Sequence, residues 1–190
     1  MAFELNRSNT PCAAVWIIGD QVDRTASSLK AAPPGSPVVF IESLKSFRSR
    51  PYHWQKLVLI LSAMRHFASE LRAAGREVSY HTLTDDFTKT ISQFVRKAGI
   101  KTLYVMEPND HDRAMDMPAI AKKIGCHVEV TPNNQFLADH DQFAEWATGK
   151  RSMLMEFFYR TQRKRLGILL EADGTPAGAH GTWINSIGWA

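Results

Sequence analysis

Hydrophobic residues recur along the chain in short runs that are separated by stretches of helical periodicity. Five such runs are nearly continuous or alternate with a period of two, and turn-forming residues bound them. They are Ala13–Ile18, Val38–Ile41, Glu77–Thr82, Thr102–Met106 and His127–Val130. Near-continuous apolar strands are typical of a sheet that is covered on both faces, because such strands have no solvent-facing side. The pattern therefore predicts a buried five-stranded sheet.

Apolar residues between these runs recur at three- and four-residue steps, which predicts amphipathic helices. The longest helix is predicted over Tyr52–Ala74 and ends at Gly75, and two more are predicted over Phe87–Ala98 and Asp112–Ile124. We place Pro118 at the start of the main body of the last helix, since proline is harmless in a first turn. Strands alternating with helices predict an α/β fold with a parallel, doubly wound, Rossmann-like sheet and helices on both faces.

The pattern changes after the fifth strand. Asp139 or Asp141 is placed to cap a short helix, and a second helix is predicted over Ser152–Leu166. The predicted organisation is an α/β domain over residues 13–138, connector helices over 139–170 and an irregular tail over 171–190.

The second connector helix carries a broad apolar face, formed by Met153, Leu154, Phe157 and Phe158. Basic residues crowd its second half, where the helix dipole favours them in any protein. Two interpretations of this basic half follow: a solvated surface, or a docking surface for another domain or for phosphates. Because the apolar face is wider than a lone peripheral helix needs, we expect a partner there, either another domain or a second copy of the chain.

Composition narrows the function only slightly. The net charge of +4, from 23 basic and 19 acidic residues, is too small an excess to indicate a nucleic-acid surface. The two cysteines, Cys12 and Cys126, are far apart and form no C-x-x-C pair, so neither a zinc site nor a redox dithiol is indicated. With no signal-peptide pattern and no membrane-length apolar run, we expect a soluble, cytoplasmic protein.

Polar residues follow the first two predicted strands. Gly19, Asp20 and Gln21 come after the first strand and Glu42 after the second. Open parallel sheets bind ligands at the carboxyl ends of their strands. If the two strands are neighbours, Asp20 and Glu42 face one crevice and can accept hydrogen bonds from a flavin-like heterocycle. The alternative is that these carboxylates cap helices or loops.

Other site patterns are missing from the sequence. No G-x-G-x-x-G and no G-x-x-x-x-G-K-[ST] occurs, which argues against a dinucleotide or triphosphate cradle. No pair of histidines has metal-ligand spacing, and no G-x-S-x-G elbow occurs. We therefore predict no metal site and no catalytic residue.

Three blocks of sequence carry a family resemblance. They are Ile17-Ile-Gly-Asp-Gln21, the segment Gln55–Phe67 that ends in S-A-M-R-H-F, and the segment Gly149–Arg160 that ends in M-E-F-F-Y-R. In content, order and separation they resemble the deoxyribodipyrimidine photolyase-related proteins, which are the iron–sulfur bacterial cryptochromes and (6-4) photolyases. The resemblance runs from about Val15 to about Leu170.

The resemblance implies an N-terminal antenna domain that holds 6,7-dimethyl-8-ribityllumazine. In this family the antenna crevice uses residues that fall on Gly19, Asp20, Gln21 and Glu42, the set that the sheet pattern indicates. Full-length relatives continue into a helical domain that binds FAD and a [4Fe–4S] cluster. We expect this chain to bind neither, since it lacks that domain, and the stretch Gly178–Asn185 departs from the family pattern.

The sequence thus predicts a truncated photolyase-related protein, a light-harvesting domain that is not competent for DNA repair alone. Its expected partner is the missing helical domain or a second copy, with damaged DNA a partner only in full-length relatives. The alternative is a non-catalytic module that binds a nucleotide-like ligand or a protein, or a degenerate gene fragment.

Overall fold

Five parallel strands form one sheet in the computed structural model, which describes residues 12–49, 51–175 and 177. The strands are β1 (Ala13–Ile17), β2 (Val38–Ser43), β3 (Val78–Thr84), β4 (Thr102–Met106) and β5 (His127–Thr131). Their order across the sheet is β3-β2-β1-β4-β5, so β1 lies in the centre between β2 and β4. The predicted α/β fold with a five-stranded parallel sheet is confirmed.

Seven helices accompany the sheet in the described part of the chain. They are α1 (Ser27–Ala31), α2 (Leu44–Arg48), α3 (Trp54–Ala73), α4 (Phe87–Ala98), α5 (His111–Ile124), α6 (His140–Ala147) and α7 (Met155–Leu166). None of the described helices is both long and apolar enough to cross a membrane. The sequence pattern missed α1 and α2, because five residues are too few to show a helical period.

Alternate residues of the central strands enter two separate cores. Trp16 and Val39 pack with residues of α4 and α5 on one face, where Ile91 is fully buried. Val15 and Phe40 pack with α1 and α3 on the other face. Each face of the sheet is thus covered by helices, which explains why the strands read as continuous apolar runs.

The interior of α5 corrects one prediction. Pro118 lies inside α5 and not at its beginning, which Asp110 marks by accepting a hydrogen bond from the backbone N–H of Arg113 at 3.2 Å. The side chain of Pro118 is exposed, so its ring lies on the outer face of the helix. A proline in this position removes one helical hydrogen bond, and the helix continues past it to Gly125.

The chain divides into two compact units, one that runs to Gln135 and one that starts at Phe136. This division does not test the predicted domain limits, which stay predictions. Most of the predicted tail over 171–190 lies outside the described residues. In the second unit Asp139, one of the two predicted caps, accepts from the backbone N–H of Gln142 at 2.8 Å. This contact starts α6 in the ordinary N-cap geometry.

Three aromatic rings hold α6 and α7 together in the second unit. The ring of Phe158 lies 5.2 Å from that of Phe143 and 5.0 Å from that of Trp146, both in edge-to-face arrangements. The helix that was predicted to begin at Ser152 begins at Met155, and Leu154 precedes it without a side-chain cap. Phe158 therefore faces its own unit, whereas Met153, Leu154 and Phe157 are exposed.

Candidate functional site

A cleft of about 500 Å³ opens at the carboxyl edge of the sheet. It is bordered by the residues that follow β1, by the end of β2 with α2, by the first half of α3, and by the segment that leads from β4 into α5. The chain runs outward from β1 to β3 and then crosses to β4 on the other side of β1. The cleft therefore lies at the topological switch point, where open α/β sheets bind ligands.

The inner wall of the cleft is apolar, and Gly19 borders it closely. A Cβ atom at Gly19 would lie 3.2 Å from Sδ of Met64 and 3.5 Å from Cγ2 of Ile60. A contact of 3.2 Å is tighter than ordinary packing, so any larger residue would displace the Met64 side chain. Glycine at this position thus lets α3 approach β1 and shapes the wall.

Asp20 borders the same cleft and is tied to two neighbouring loops. Its Oδ2 accepts a hydrogen bond from the side-chain amide of Asn109 at 3.0 Å, and its backbone carbonyl accepts from the amide of Gln135 at 2.9 Å. Asn109 also donates to Oε1 of Gln135 at 3.0 Å. Of the two carboxylate oxygens, Oδ1 has no hydrogen bond from a described residue, so it can accept one from a ligand.

Gln21 is fully buried and does not border the cleft. Its Nε2 donates to the backbone carbonyls of Met106 and Glu107, at 3.0 and 2.9 Å. These bonds join the loop after β1 to the end of β4. Its Oε1 is buried without a partner among the described residues. The structure therefore shows Gln21 as a support for the edge of the sheet, and its role in ligand binding stays a prediction.

Glu42 is also fully buried and does not border the cleft. Its carboxylate accepts from Nε and Nη2 of Arg65 at 2.8 and 3.1 Å and from the hydroxyl of Tyr80 at 2.7 Å. A fourth bond comes from the backbone N–H of Leu83 at 3.2 Å. Strand alternation explains this direction, since Glu42 shares the α3 side of β2 with Phe40.

The environment of Glu42 keeps its carboxyl group ionised. Burial alone would raise its pKa, but the hydrogen bonds from Arg65, Tyr80 and Leu83 outweigh burial and lower it. Burial and the bond to Glu42 raise the pKa of Tyr80, and the same carboxylate raises the pKa of Arg65. Leu83, whose backbone N–H donates to this carboxylate, has a φ of 44°, a left-handed conformation that costs energy for a leucine.

The structure thus brings Gly19 and Asp20 together at the cleft and places Gln21 and Glu42 behind it. The neighbouring strands that the predicted crevice required are present, since β1 pairs with β2. The two carboxylates do not both border that crevice, however, and a direct contact between Glu42 and a ligand stays a prediction.

Hydroxyl and cationic side chains that sequence reasoning missed border the cleft beside α2. Ser43 Oγ accepts from the backbone N–H and from the hydroxyl of Ser46, at 3.2 and 3.1 Å. Nη2 of Arg113 donates to Ser46 Oγ at 3.2 Å, and Nζ of Lys56 lies 4.9 Å above the ring of Tyr52. Ser43 lies at the end of β2, a position that many serines share, whereas Lys56 and Arg113 lie within α3 and α5, where no local pattern marks them as site residues.

The described residues contain no group of three or more histidine, cysteine or acidic side chains that could hold a metal ion. A [4Fe–4S] cluster needs four cysteine ligands, and this sequence has two cysteines. The residues present therefore do not fit such a cluster. The cleft combines an apolar wall with hydrogen-bonding groups, an arrangement that suits the binding of a small molecule.

The fold and the cleft place the chain in the class of doubly wound α/β domains with a ligand-sized cleft at the switch point of the sheet. The sequence model of the deoxyribodipyrimidine photo-lyase-related protein family matches residues 15–183, so the chain belongs to that family. The match extends beyond Leu170, so the resemblance reaches further than the three quoted blocks indicated.

One curated relative is the (6-4) photolyase of Agrobacterium fabrum strain C58. The two proteins are 31% identical over 175 residues, an alignment that covers 89% of this chain and 34% of the relative. The chain therefore spans about one third of the length of that relative.

Proposed function

We propose that the chain is an antenna domain of a photolyase-related protein and that its cleft binds 6,7-dimethyl-8-ribityllumazine. The observation that supports this most directly is the cleft at the switch point, bordered by Gly19 and Asp20. A volume of about 500 Å³ lies within the range of small-molecule sites, which is roughly 300–1,000 Å³. When bound, the chromophore would supply light absorption, and the protein would fix its position.

The residues of the cleft fit a flat ring with polar edges. Met64 and Ile60 offer an apolar surface to a ring, and Gly19 keeps that surface accessible from β1. Asp20 would accept a hydrogen bond from a ring N–H or a ribityl hydroxyl. We propose that Glu42 acts on this site through α3, because its bond to Arg65 fixes the helix that carries Met64.

Repair of DNA would require a second domain. The relative named a photolyase is about three times as long as the matched segment. We propose that FAD, the [4Fe–4S] cluster and damaged DNA are bound only where such a helical domain is present. The present chain would contribute light collection and no repair chemistry of its own.

We propose that the exposed apolar residues at the beginning of α7, with the two residues that precede it, form the docking surface for that helical domain. Met153, Leu154 and Met155 are 61%, 53% and 72% exposed, and Phe157 is 51% exposed. An exposed apolar cluster of this kind is typical of an interaction surface. A homodimer through the same face is the alternative. Light scattering separates the two, since a chain that is monomeric at high concentration excludes the homodimer.

Titration of the purified chain with the lumazine tests the antenna proposal. We expect a change in lumazine fluorescence that saturates at one equivalent, and Asp20→Asn should weaken binding about tenfold, the cost of a charge-assisted hydrogen bond. Gly19→Val should weaken it further, because Val would displace Met64. Asp116→Asn removes an exposed carboxylate on α5 outside the cleft and is the matched control.

The outcome distinguishes the antenna from the alternative module. Saturable binding that Asp20→Asn weakens and Asp116→Asn leaves unchanged supports the antenna. Binding of a different heterocycle, with none of the lumazine, would support a non-catalytic module that takes another ligand. Lumazine binding that is insensitive to Gly19→Val would mean that the chromophore lies elsewhere on the chain.

A further inference from the structure

Beside α2, the cleft is bordered by more hydrogen-bond donors than the surrounding protein groups accept. Three side chains make up this donor group: Ser43, Lys56 and Arg113, all of which border the cleft. They come from β2, α3 and α5, so three separate elements converge there. Such convergence from distant parts of the sequence distinguishes a built site from a chance surface cluster.

Ser43 is the most constrained member of the donor group. It is 9% exposed, and its Oγ already accepts two hydrogen bonds from Ser46. Both lone pairs are therefore used, and its own hydroxyl hydrogen has no acceptor among the described residues. Because Ser43 borders the cleft, this hydroxyl hydrogen is available to donate to a ligand there.

Arg113 and Lys56 also have N–H donors that no described protein group accepts. Arg113 uses one of its five N–H donors, on Ser46 Oγ at 3.2 Å. Lys56 contacts the ring of Tyr52, and neither cation has a carboxylate partner in the described chain. The two carboxylates that border the cleft form no ion pair with Lys56 or Arg113 among the described residues, since Oδ2 of Asp20 accepts from Asn109 and Asp110 caps α5. The donor group thus combines two positive charges with a neutral hydroxyl.

We infer that the donor group binds a terminal phosphate, so that the cleft prefers ribityl chromophores carrying a 5′-phosphate to the unphosphorylated compounds. A phosphomonoester has three acceptor oxygens and about two negative charges, which matches the three donor side chains and the two cations. The ring would lie on the wall formed by Gly19 and Met64, and the ribityl chain would reach the donor group. The inference rests on the proposed function, because it concerns the same cleft and the same ring.

Two ligand pairs that differ only in the phosphate test the inference. The first is 6,7-dimethyl-8-ribityllumazine against its 5′-phosphate, and the second is riboflavin against flavin mononucleotide. We expect the phosphate to lower the Kd by at least about tenfold in low salt, as charge-assisted hydrogen bonds do. Because two charges are paired, this advantage should shrink as the salt concentration rises.

Two double variants that remove the same charge show whether Lys56 and Arg113 cause the preference for phosphate. Lys56→Gln with Arg113→Gln should remove the advantage of the phosphate and leave the affinity for the unphosphorylated lumazine within about threefold. Lys122→Gln with Lys123→Gln removes the same charge from exposed positions on α5 and should leave the advantage intact. Ser43→Ala should reduce the advantage without changing its salt dependence, because it removes a neutral donor.

Each outcome decides between the two proposals. Equal affinity for phosphorylated and unphosphorylated lumazine overturns the phosphate inference and leaves the antenna proposal intact. A phosphate advantage that survives in the double variant of Lys56 and Arg113 also overturns the inference. Failure of every ribityl compound to bind overturns both proposals, and circular dichroism of the variants shows whether each is folded.

Discussion

The buried carboxylate of Glu42 supports a quantitative prediction about stability. Glu42→Gln keeps the shape of the side chain but replaces one acceptor oxygen with an NH2 group. In the structure Oε1 accepts from Arg65 and Tyr80, and Oε2 accepts from Arg65 and the backbone N–H of Leu83. Whichever way the amide turns, one of these pairs of donors loses its acceptor.

The magnitude follows from which donors can find water. The Arg65 side chain is 54% exposed, so water can replace the hydrogen bond that it loses. The bonds from Tyr80 and Leu83 lie in a part-buried region, and leaving one such donor unsatisfied costs about 1–3 kcal/mol. We expect Glu42→Gln to lower the free energy of unfolding by about 1–3 kcal/mol.

Urea unfolding followed by circular dichroism measures this change, with Glu70→Gln as the matched control. Glu70 pairs with Arg24 in an exposed ion pair, whose side chains are 48% and 74% exposed. The control should therefore lose less than about 1 kcal/mol. With a typical slope of about 2 kcal/mol/M, the urea midpoint of Glu42→Gln should fall by about 0.5–1.5 M.

The pH dependence gives an independent check. The pKa of Glu42 is lowered in the folded chain, so the carboxylate stabilises the fold above the ordinary carboxyl range. That stabilisation is lost as the pH falls through the lowered value. The difference between wild type and Glu42→Gln should therefore shrink on acidification. A variant as stable as Glu70→Gln at neutral pH, or a difference that acid does not reduce, would refute the assignment.

Three further predictions concern single residues. Cys12 is exposed whereas Cys126 is half-buried with a pKa raised by burial, so a thiol reagent at pH 8 should modify Cys12 first, and equal rates would contradict this. Burial lowers the pKa of His81, so the unfolded chain binds a proton at this residue more readily than the folded chain. The wild type should therefore lose stability between about pH 7 and 5, and His81→Gln should lose less over the same range in urea unfolding. Asp139→Ala removes the cap on Gln142 and should destabilise α6 by about 0.5–2 kcal/mol, seen as faster amide exchange there and not in α4.

The central strands β1, β2 and β4 could be predicted from the sequence because they are largely buried between helices on both faces. Val38–Ile41 and Thr102–Met106 read as continuous apolar runs, and the structure places strands over both. The end of β2 was less clear, since Glu42 and Ser43 are polar and fully or nearly fully buried. Their burial depends on Arg65 and Ser46, which no local pattern links to them.

The candidate site was only half predictable. Gly19 and Asp20 follow a strand that ends at the switch point, and this rule sufficed to place them at the cleft. The direction of Glu42 could have been read from strand alternation, because it shares a face with Phe40 and therefore turns toward α3. Ser46 and Arg113 could not be found in this way, because their meeting depends on the packing of α2 and α5.

The position of β1 in the middle of the sheet has a consequence for synthesis of the protein. β1 emerges first from the ribosome, but its partner on one side is β4, and Val15 pairs with Tyr104. Contacts between such distant residues slow folding, since most of the unit must be made before they can form. A nascent chain that has produced only β1 to β3 would thus lack one wall of the cleft. Loading of the proposed chromophore during translation would therefore have to wait until α5 has left the exit tunnel.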